Sequence, residues 1–253
     1  MEEKKKNKIT LEERIYNAPM VYVLSAAAAA AVALCLVVTV LMLILGFGFV
    51  TDTTEDGTVI NYFGIVRDGD PTFGWLRDSE GRRGFVSGRG IKYSDGSRYE
   101  GDLSGFYYSG EATYTDPDGN VYKGGYVWGK LNGRVTIEYA DGGSFEGSYL
   151  NGKKHGYGTE SFTDGHGLSW GYSGEYADGV KNGYGEYVYQ DGSVYKGNFK
   201  NGMRHGDGFY RYATGDTYTG EFRNNVIHGQ GTLFFTTGRV YSGEFRNGVP
   251  VIE

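Results

Sequence analysis

The chain shows two hydrophobic patterns in succession. From residue 20 to residue 49 it carries no charged side chain for 30 positions. About 20 apolar residues span a bilayer core as a helix, so this run predicts a transmembrane helix over residues 19–49. A cleaved signal peptide has a shorter apolar region that small residues follow, whereas alanines 26–31 open this run, which favours an uncleaved anchor.

Beyond residue 61, short segments alternate between apolar and polar residues, and aromatic residues recur at a fixed period. The recurring positions are 23 residues apart, with one interval of 27, and are Tyr99, Tyr122, Phe145, Tyr172, Tyr195, Tyr218 and Tyr241. We call these residues anchors. Glycine follows each anchor after two positions, and an apolar residue follows after four. In a strand these three positions point to one face, which predicts strands with one aromatic and one polar face.

Two sets of turn signals divide each period into a β-hairpin. The turns after the first strands are predicted at Asn151-Gly152, Asp178-Gly179, Asn201-Gly202 and Asn247-Gly248. Those after the second strands are predicted at Asp95-Gly96, Asp118-Gly119, Asp141-Gly142, Asp164-Gly165 and Asp191-Gly192. The expected fold is all-β, an elongated single-layer antiparallel meander preceded by one transmembrane helix. Each glycine between two rings should leave a slot for a ring of the neighbouring strand.

The period resembles the MORN (membrane occupation and recognition nexus) repeat, whose pattern is roughly Y-x-G-x-F-x-x-G-x-x-x-G-x-G. The best copy runs from Tyr195 to Gly208, with Gly197, Phe199 and Gly206 at the expected places. The resemblance covers about residues 62–253, and it implies MORN β-hairpins. Three positions depart from the pattern by lacking a glycine, namely Ala112, Val135 and Asn225.

The patterns together predict five segments. These are a short tail at 1–18, a transmembrane helix at 19–49, a linker at 50–61, degenerate MORN-like repeats at 62–98, and MORN repeats at 99–253 with six complete copies and one terminal half. Five basic residues precede the apolar run and none lies between residues 50 and 66. The N-terminus is therefore expected in the cytoplasm and the repeats on the opposite side of the membrane.

Composition and charge narrow the classes of function. All 44 glycines lie from residue 46 onward, with only four prolines and 23 tyrosines, which excludes collagen and argues against disorder. The net charge after residue 50 is −7. Such a surface does not suit nucleic acid and disfavours attraction to anionic lipid headgroups. Cys35 is the only cysteine of the chain and cannot form an intramolecular disulfide.

Three sequence features resemble catalytic, metal-binding or phosphate-binding motifs. Residues 167–171 read Gly-Leu-Ser-Trp-Gly around Ser169, but no helix signal follows, as a nucleophile elbow requires. His155, His205 and His228 repeat ten positions after their anchors, and neighbouring copies should lie about 10 Å apart, too far to share one zinc ion. The Gly-x-Gly pairs follow the repeat and lead into no helix. No catalytic residue, metal site or cofactor is predicted.

The expected function is therefore that of a membrane-anchored, non-catalytic scaffold or protein-interaction module. Phospholipid engagement, proposed for the family, is the alternative, and a homo-oligomer stays open. The aromatic residues expected to face a partner or to stabilise the sheet are Tyr122, Tyr126, Phe145, Tyr149, Tyr172, Tyr176, Tyr195, Phe199, Tyr218, Phe222, Tyr241 and Phe245. The predicted structural glycines are Gly124, Gly147, Gly174, Gly197, Gly220 and Gly243.

Overall fold

The computed structural model describes residues 20–54 and 57–252, with the side chains of the N-terminal helix described from residue 28 onward. The chain divides into two compact units, Met1–Phe49 and Val50–Glu253. The predicted N-terminal tail, residues 1–18, lies outside the described residues.

The first unit contains the helix α1, at Met20–Ile44. Its sequence is rich in alanine and leucine, which favour helices, and it contains neither proline nor glycine. The helix ends where Gly46 adopts a left-handed conformation, with φ of 82°, and donates its amide to the Leu43 carbonyl. Apolar side chains of its described part, such as Leu34 and Leu36, are exposed.

The prediction of a transmembrane span over residues 19–49 is not supported. Within residues 20–54 and 57–252, no helix is long and apolar enough to cross a membrane. The helix also stops before the predicted limit, because Gly46 caps it and a strand begins at Phe47. Residues 47–49 are therefore extended rather than helical.

The rest of the described chain forms a sheet of 19 strands. The strands are β1 Phe47–Thr53, β2 Val59–Arg67, β3 Asp70–Asp78, β4 Arg83–Ser87, β5 Gly90–Tyr93, β6 Arg98–Ser104, β7 Tyr107–Thr115, β8 Val121–Val127, β9 Lys130–Glu138, β10 Ser144–Leu150, β11 Lys153–Thr163, β12 Ser169–Ala177, β13 Val180–Val188, β14 Val194–Lys200, β15 Met203–Arg211, β16 Thr217–Arg223, β17 Val226–Phe234, β18 Val240–Arg246 and β19 Val249–Pro250.

From β2 onward, each strand pairs antiparallel with the next one along the chain. This is the predicted antiparallel meander of hairpins. The segment predicted as a linker, residues 50–61, contains most of β1 and the first residues of β2, and these two strands pair. Strand structure therefore begins before the first residue that shows the repeat pattern.

The turns after the first strands are two-residue loops, as predicted. In the turn from β14 to β15, Asn201 has φ of 52° and Gly202 has φ of 78°. Positive values at both positions are the requirement of a type I′ turn, which matches the twist of a hairpin. Trp128-Gly129 and Asn224-Asn225 form the same kind of turn, so asparagine replaces glycine at Asn225 without changing the loop.

The turns after the second strands are longer. In the turn from β13 to β14, the Tyr189 amide donates to the Ser193 carbonyl, and the Gly192 amide donates to the Tyr189 carbonyl. Gly192 is left-handed, with φ of 80°. The Asp191 carboxylate accepts a hydrogen bond of 2.9 Å from the Ser193 amide. An aspartate followed by glycine therefore closes this turn, as the sequence predicts.

The one long interval of the repeat extends a single hairpin. Strands β11 and β12 stay paired up to Thr163 and Ser169. The rings of the preceding pair, Phe162 and Trp170, stack with centroids 5.9 Å apart. The turn predicted at Asp164-Gly165 is displaced, since the left-handed residue is Gly167. The reason is that the Asp164 carboxylate accepts two backbone amides further along the loop.

The two faces of the sheet differ in composition. In β14, Tyr195, Gly197 and Phe199 are buried on one side, while Lys196 and Asn198 are exposed on the other. We call the first side, with the in-register residues of the other strands, the aromatic face, and the second the polar face. Two clusters of buried side chains, one from Tyr62 to Tyr126 and one from Val135 to Phe245, lie on the aromatic face. The core of the sheet is therefore built from a single layer.

Candidate interaction face

Each regular hairpin packs its anchor ring over a pair of glycines. Gly197 and Gly208 face each other across β14 and β15. A Cβ at Gly208 would lie 2.6 Å from the Tyr195 ring, and a Cβ at Gly197 would lie 2.5 Å from the Tyr195 hydroxyl. The sequence predicts that a ring of the neighbouring strand fills the slot at Gly197, but the Tyr195 ring, from the same strand, fills it. At Gly208, on β15, the same Tyr195 ring does come from the neighbouring strand.

A hydrogen bond fixes the anchor ring in this position. The Tyr195 hydroxyl donates to the Asn198 carbonyl, three residues further on, at 2.8 Å. Asn198 lies at a bulge where three residues of β15, 205–207, replace one, and Gly206 there has φ of 69°. The same bond, between 2.6 and 3.1 Å, is made by Tyr62, Tyr99, Tyr172, Tyr218 and Tyr241. The bond satisfies the hydroxyl group of each ring, and all of these rings except that of the half-buried Tyr241 are buried.

The anchors also connect one repeat to the next. Tyr195 contacts Phe199 of its own strand edge-to-face, with centroids 5.1 Å apart, and contacts Phe222 of the next repeat at the same distance. Tyr172 with Phe199 and Tyr218 with Phe245 repeat the second contact at 5.1 Å. Edge-to-face pairs at this distance are favourable for aromatic rings. Each repeat is therefore coupled to its neighbours through one row of rings.

The predicted aromatic residues all lie on this face, but most of them are buried. The buried ones are Tyr126, Phe145, Tyr172, Tyr176, Tyr195, Phe199, Tyr218, Phe222 and Phe245. Tyr122, Tyr149 and Tyr241 are half-buried. An added Cβ would come within 3.0 Å of another atom at each predicted structural glycine, namely Gly124, Gly147, Gly174, Gly197, Gly220 and Gly243. The nearest atoms include the anchor side chain at five of them, whereas at Gly124 they belong to Arg134 and Val135. Contact of the rings with a partner stays a prediction.

The departure at Val135 changes one anchor. Val135 faces Gly124 and is fully buried, and its Cγ2 would lie 3.1 Å from a Cβ at Gly124. The valine fills the space that the anchor ring occupies elsewhere. The Tyr122 hydroxyl accordingly donates to the Asp116 carboxylate at 3.1 Å instead of to a carbonyl of its own strand.

Three cations, which the sequence analysis did not single out, lie among the rings. Lys154, Lys181 and Arg204 each stand nine residues after an anchor. Lys154 Nζ is 4.3 Å from the centroid of the Phe145 ring, and Lys181 Nζ is 4.2 Å from that of Tyr187. Such cation–π contacts hold the charges against the aromatic face. The sequence does contain a signal for these cations, namely the two-residue turn after each first strand. The turn pairs the residue nine positions after the anchor with the ring four positions after the anchor.

A second row of rings, half-buried, follows the second strands. Tyr187, Tyr189, Tyr210 and Tyr212 pack against the buried cluster while remaining accessible. Tyr187 and Tyr189 have centroids 4.4 Å apart, and Tyr210 and Tyr212 have centroids 4.7 Å apart. These side chains, with the three cations, form the accessible part of the aromatic face.

Burial of the anchors is also reflected in their acidity. Burial raises the pKa of Tyr172 and of Tyr218 to about 12, and nearby Glu175 and Glu221 add to the respective shifts. The pKa of Tyr195 is raised as well, with burial as the main cause. These hydroxyl groups therefore stay protonated, as donors of the hydrogen bonds described above, at neutral pH.

A cavity of 480 Å³ opens near the N-terminal end of the aromatic face. At its wall, the buried carboxylate of Asp78 forms an ion pair of 3.0 Å with Arg82, whose guanidinium lies 4.3 Å from the Tyr93 ring centroid. The Tyr93 and Tyr108 hydroxyl groups are 2.8 Å apart, and burial raises the pKa of both. The polar groups of this wall thus satisfy one another.

The serine and histidine residues whose sequence patterns resemble catalytic or metal sites do not come together in the structure. Ser169 begins β12, and its hydroxyl is 3.0 Å from that of Thr163. His155, His205 and His228 lie on three different strands, β11, β15 and β17. Within the described chain, no group of three histidine, cysteine or acidic side chains is close enough to hold a metal ion.

Comparison with known families identifies the repeat. The family model described as MORN repeat matches seven segments, which together make up more than half of the chain, at residues 99–121, 122–144, 145–167, 172–194, 195–217, 218–238 and 241–251. No curated protein matches the sequence. Each matched segment starts at an anchor, and residues 168–171, before Tyr172, lie outside the matched segments.

Proposed function

The chain belongs to the MORN-repeat family, and we propose that its aromatic face binds a protein partner. MORN repeats indicate a module for interaction with proteins or lipids. In this proposal the protein is a non-catalytic scaffold, and the buried anchors stabilise the sheet while the accessible second row contacts the partner. Repeat sheets present extended surfaces of this kind.

One observation carries the choice of surface. The side chains of Tyr189 and Tyr212 remain half-buried although the rings beneath them are covered. Half-exposed tyrosines combine a large apolar area with a hydroxyl group, and tyrosine is enriched at protein interfaces. The polar face exposes single rings such as Tyr184, but these stand among charged pairs such as Lys196 with Glu186, 3.1 Å apart. A partner that covers apolar area is therefore better served by the aromatic face.

Membrane attachment is the second part of the proposal. The sequence keeps 30 positions free of charge, and the described apolar side chains of α1 are exposed, with Leu34 at 65 % and Ile44 at 74 %. We propose that this segment anchors the chain in a membrane, with the N-terminus in the cytoplasm. Resistance to alkaline carbonate extraction, together with digestion of the repeats by protease added outside intact cells, is the expected result. Release by carbonate contradicts the anchor, and digestion only after lysis reverses its orientation.

Phospholipid binding is the competing function of the repeats. The net charge of −7 after residue 50 speaks against attraction to anionic headgroups. The two functions predict different molecules in contact with Tyr189 and Tyr212: a protein in the first case and a lipid in the second.

Site-specific photo-cross-linking of the full-length protein in its native membrane tests the proposal. A photoreactive phenylalanine analogue replaces Tyr212 on the aromatic face, and in a matched variant it replaces Asn198 on the polar face. We expect a discrete protein adduct from position 212 and none from position 198. Adducts of lipid mass from position 212 favour the alternative. Equal protein adducts from both positions, or none from 212, contradict the proposal.

A further inference from the structure

The aromatic face contains a second cavity, between the repeats that start at Tyr172, Tyr195 and Tyr218. Its volume is 440 Å³, within the range of small ligand sites. The cations Lys181 and Arg204 both line it, and the rings of Tyr187, Tyr189 and Phe199 form its walls. A cavity that combines aromatic walls with two positive charges is suited to an anionic group that is partly removed from water.

Arg204 is held in place but is not neutralised. Its guanidinium carbon lies between 5.1 and 5.9 Å from the centroids of four surrounding rings. Nη2 donates to the Asn225 carbonyl at 2.6 Å, and the Arg204 amide donates to the Asn225 side chain at 2.8 Å. The buried Nε has no hydrogen-bond partner, and Arg204 forms no ion pair with any described residue. Asn225, at the position where the family has a turn glycine, thus positions Arg204.

Lys181 is the second cation without a carboxylate of its own. Its Nζ lies 4.8 Å from the Tyr172 ring centroid and 4.2 Å from that of Tyr187, and it forms no ion pair with a described residue. Burial lowers the pKa of Lys181, while the nearby Glu160 raises it and Lys154 lowers it. Glu160 itself is engaged by Lys154.

The preceding repeat shows what kind of group fits such a cation. Lys154 occupies the position equivalent to Lys181 and Arg204, and it pairs with Glu160 in a largely buried contact, with the two side chains 16 % and 19 % exposed. Glu160 stands 15 residues after its anchor, where the next two repeats have Tyr187 and Tyr210. The protein therefore places a carboxylate beside this cation once and omits it in the following two repeats.

We propose that the cavity binds a carboxylate group of the partner, held between Lys181 and Arg204, so that the segment bound by the aromatic face is acidic at this point. The attraction is local, between one carboxylate and the two cations that line the cavity, and it acts against the net charge of −7 after residue 50. The guanidinium of Arg204 offers paired N–H donors that match a carboxylate. The surrounding rings remove competing water, which strengthens the attraction of each charge. This inference rests on the proposed function and specifies the chemistry of the bound segment.

Peptide binding to the full-length protein in detergent tests the proposal. The probe is a rhodamine-labelled hexaglutamate with blocked termini, and its neutral counterpart is hexaglutamine. We expect hexaglutamate to bind and hexaglutamine not to bind, in a fluorescence anisotropy titration. Arg204→Gln and Lys181→Gln should each weaken the binding about ten-fold or more. Lys200→Gln makes the same charge change on the polar face and should alter the affinity by less than about two-fold.

Several outcomes would overturn the inference. Hexaglutamate that does not bind, or that responds equally to the Lys200 variant, excludes a specific carboxylate site. Inorganic phosphate that displaces hexaglutamate at equal charge concentration indicates a general anion site instead. Arg204→Gln and Lys181→Gln lie on different hairpins, and circular dichroism of both shows whether either has lost its fold. A photo-adduct at position 212 that persists undiminished in both variants rejects the carboxylate site while leaving the proposed function intact.

Discussion

The hairpins that start at Tyr195 and Tyr122 have the same backbone pairing but hold their anchors differently. In the first, Gly208 leaves room for the ring, and the Tyr195 side chain is fully buried. In the second, Val135 occupies that room, and Tyr122 is half-buried and turns to an aspartate. The residue 13 positions after the anchor therefore decides whether the ring becomes part of the core.

A third hairpin gives the intermediate case. Ala112 stands 13 residues after Tyr99, and its Cβ would lie 2.3 Å from a Cβ at Gly101. Tyr99 nevertheless donates to the Asp102 carbonyl at 2.6 Å, as in the regular hairpins. One methyl group beneath the ring is thus tolerated, whereas the branched side chain of Val135 is not. The three hairpins form a natural series of increasing volume beneath one ring.

The largest loss of stability is expected at alkaline pH, because deprotonation affects all the tyrosine anchors of the regular hairpins together. The pKa of Tyr172 and of Tyr218 in the fold is about 12, against 10.0 for a free tyrosine. Because the folded value is the higher one, the stabilising contribution is complete below about pH 10 and is lost as the pH rises towards about 12. We expect cooperative unfolding in this interval, followed by circular dichroism and tyrosinate absorbance. Ionisation of all tyrosines near pH 10, the anchors included, with an unchanged sheet would contradict the buried anchors.

The second prediction concerns the two glycines beneath Tyr195. A Cβ at Gly197 would lie 2.7 Å from the Gly208 Cα and 2.8 Å from the Asp207 carbonyl oxygen, and backbone atoms cannot turn away. Gly197→Val should therefore destabilise this hairpin by about 3 kcal/mol or more, at the upper end of overpacking costs. Gly208→Val meets mainly the Tyr195 ring, which can move out as Tyr122 does, so a smaller loss of about 1–2 kcal/mol is expected.

Native-state hydrogen exchange measures these losses hairpin by hairpin. The control is Asn198→Val, which adds a branched side chain on the polar face and should be nearly neutral. The damage should spread to the neighbouring hairpins, because the Tyr195 ring contacts Phe222 of the next repeat. Equal protection in the Gly197 and Asn198 variants would show that the glycine pair has no packing role.

Removal of the anchor hydroxyl should destabilise the hairpin that starts at Tyr195 more than the one that starts at Tyr122. Tyr195→Phe deletes a buried hydrogen bond to the Asn198 carbonyl and should cost about 1 kcal/mol. Tyr122→Phe deletes a bond to Asp116, whose carboxylate keeps the Asn120 amide and side chain as donors. A cost of about 0.5 kcal/mol is expected there. Local hydrogen exchange of the two hairpins tests the difference, and a larger loss in the Tyr122 variant would reverse the comparison.

The sequence predicted the fold because its signals are local and repeated. The turn pair Asn201-Gly202 sets the register of a hairpin by itself, and the anchor period supplies the faces. The direction of the ring was not predictable from the period, because a glycine pair across two strands can accept a ring from either one. The pairing of β14 with β15 is interrupted by a bulge at Asn198. The Asn198 carbonyl accepts the hydrogen bond of the Tyr195 hydroxyl, and this bond holds the ring over its own strand.

The candidate site was predicted less completely than the fold. Spacing identified the rings but not which of them stay accessible, since burial depends on contacts between repeats such as Tyr172 with Phe199. Arg204 was missed because the repeat pattern specifies no residue type at its position. The two-residue turn nevertheless pairs Phe199 with Arg204 and so fixes the face of the cation. The face on which the cation lies therefore follows from the turn type alone.

The smallest effect is expected where the sequence has phenylalanine at an anchor position. The Phe145 ring lies over Gly147 and Gly158 as the tyrosines do, with its Cζ 2.7 Å from a Cβ at either glycine. Strand β10 has the same interrupted pairing with β11 after Gly147, so the Ser148 carbonyl corresponds to the acceptor of the other anchors. Phe145→Tyr should therefore gain one hydrogen bond and stabilise its hairpin by about 0.5 kcal/mol, the low end for such a bond. Hydrogen exchange in β10 and β11 measures the gain. A loss of protection there would show that the hydroxyl does not reach the carbonyl, and that the anchor bond depends on more than the glycine pair beneath the ring.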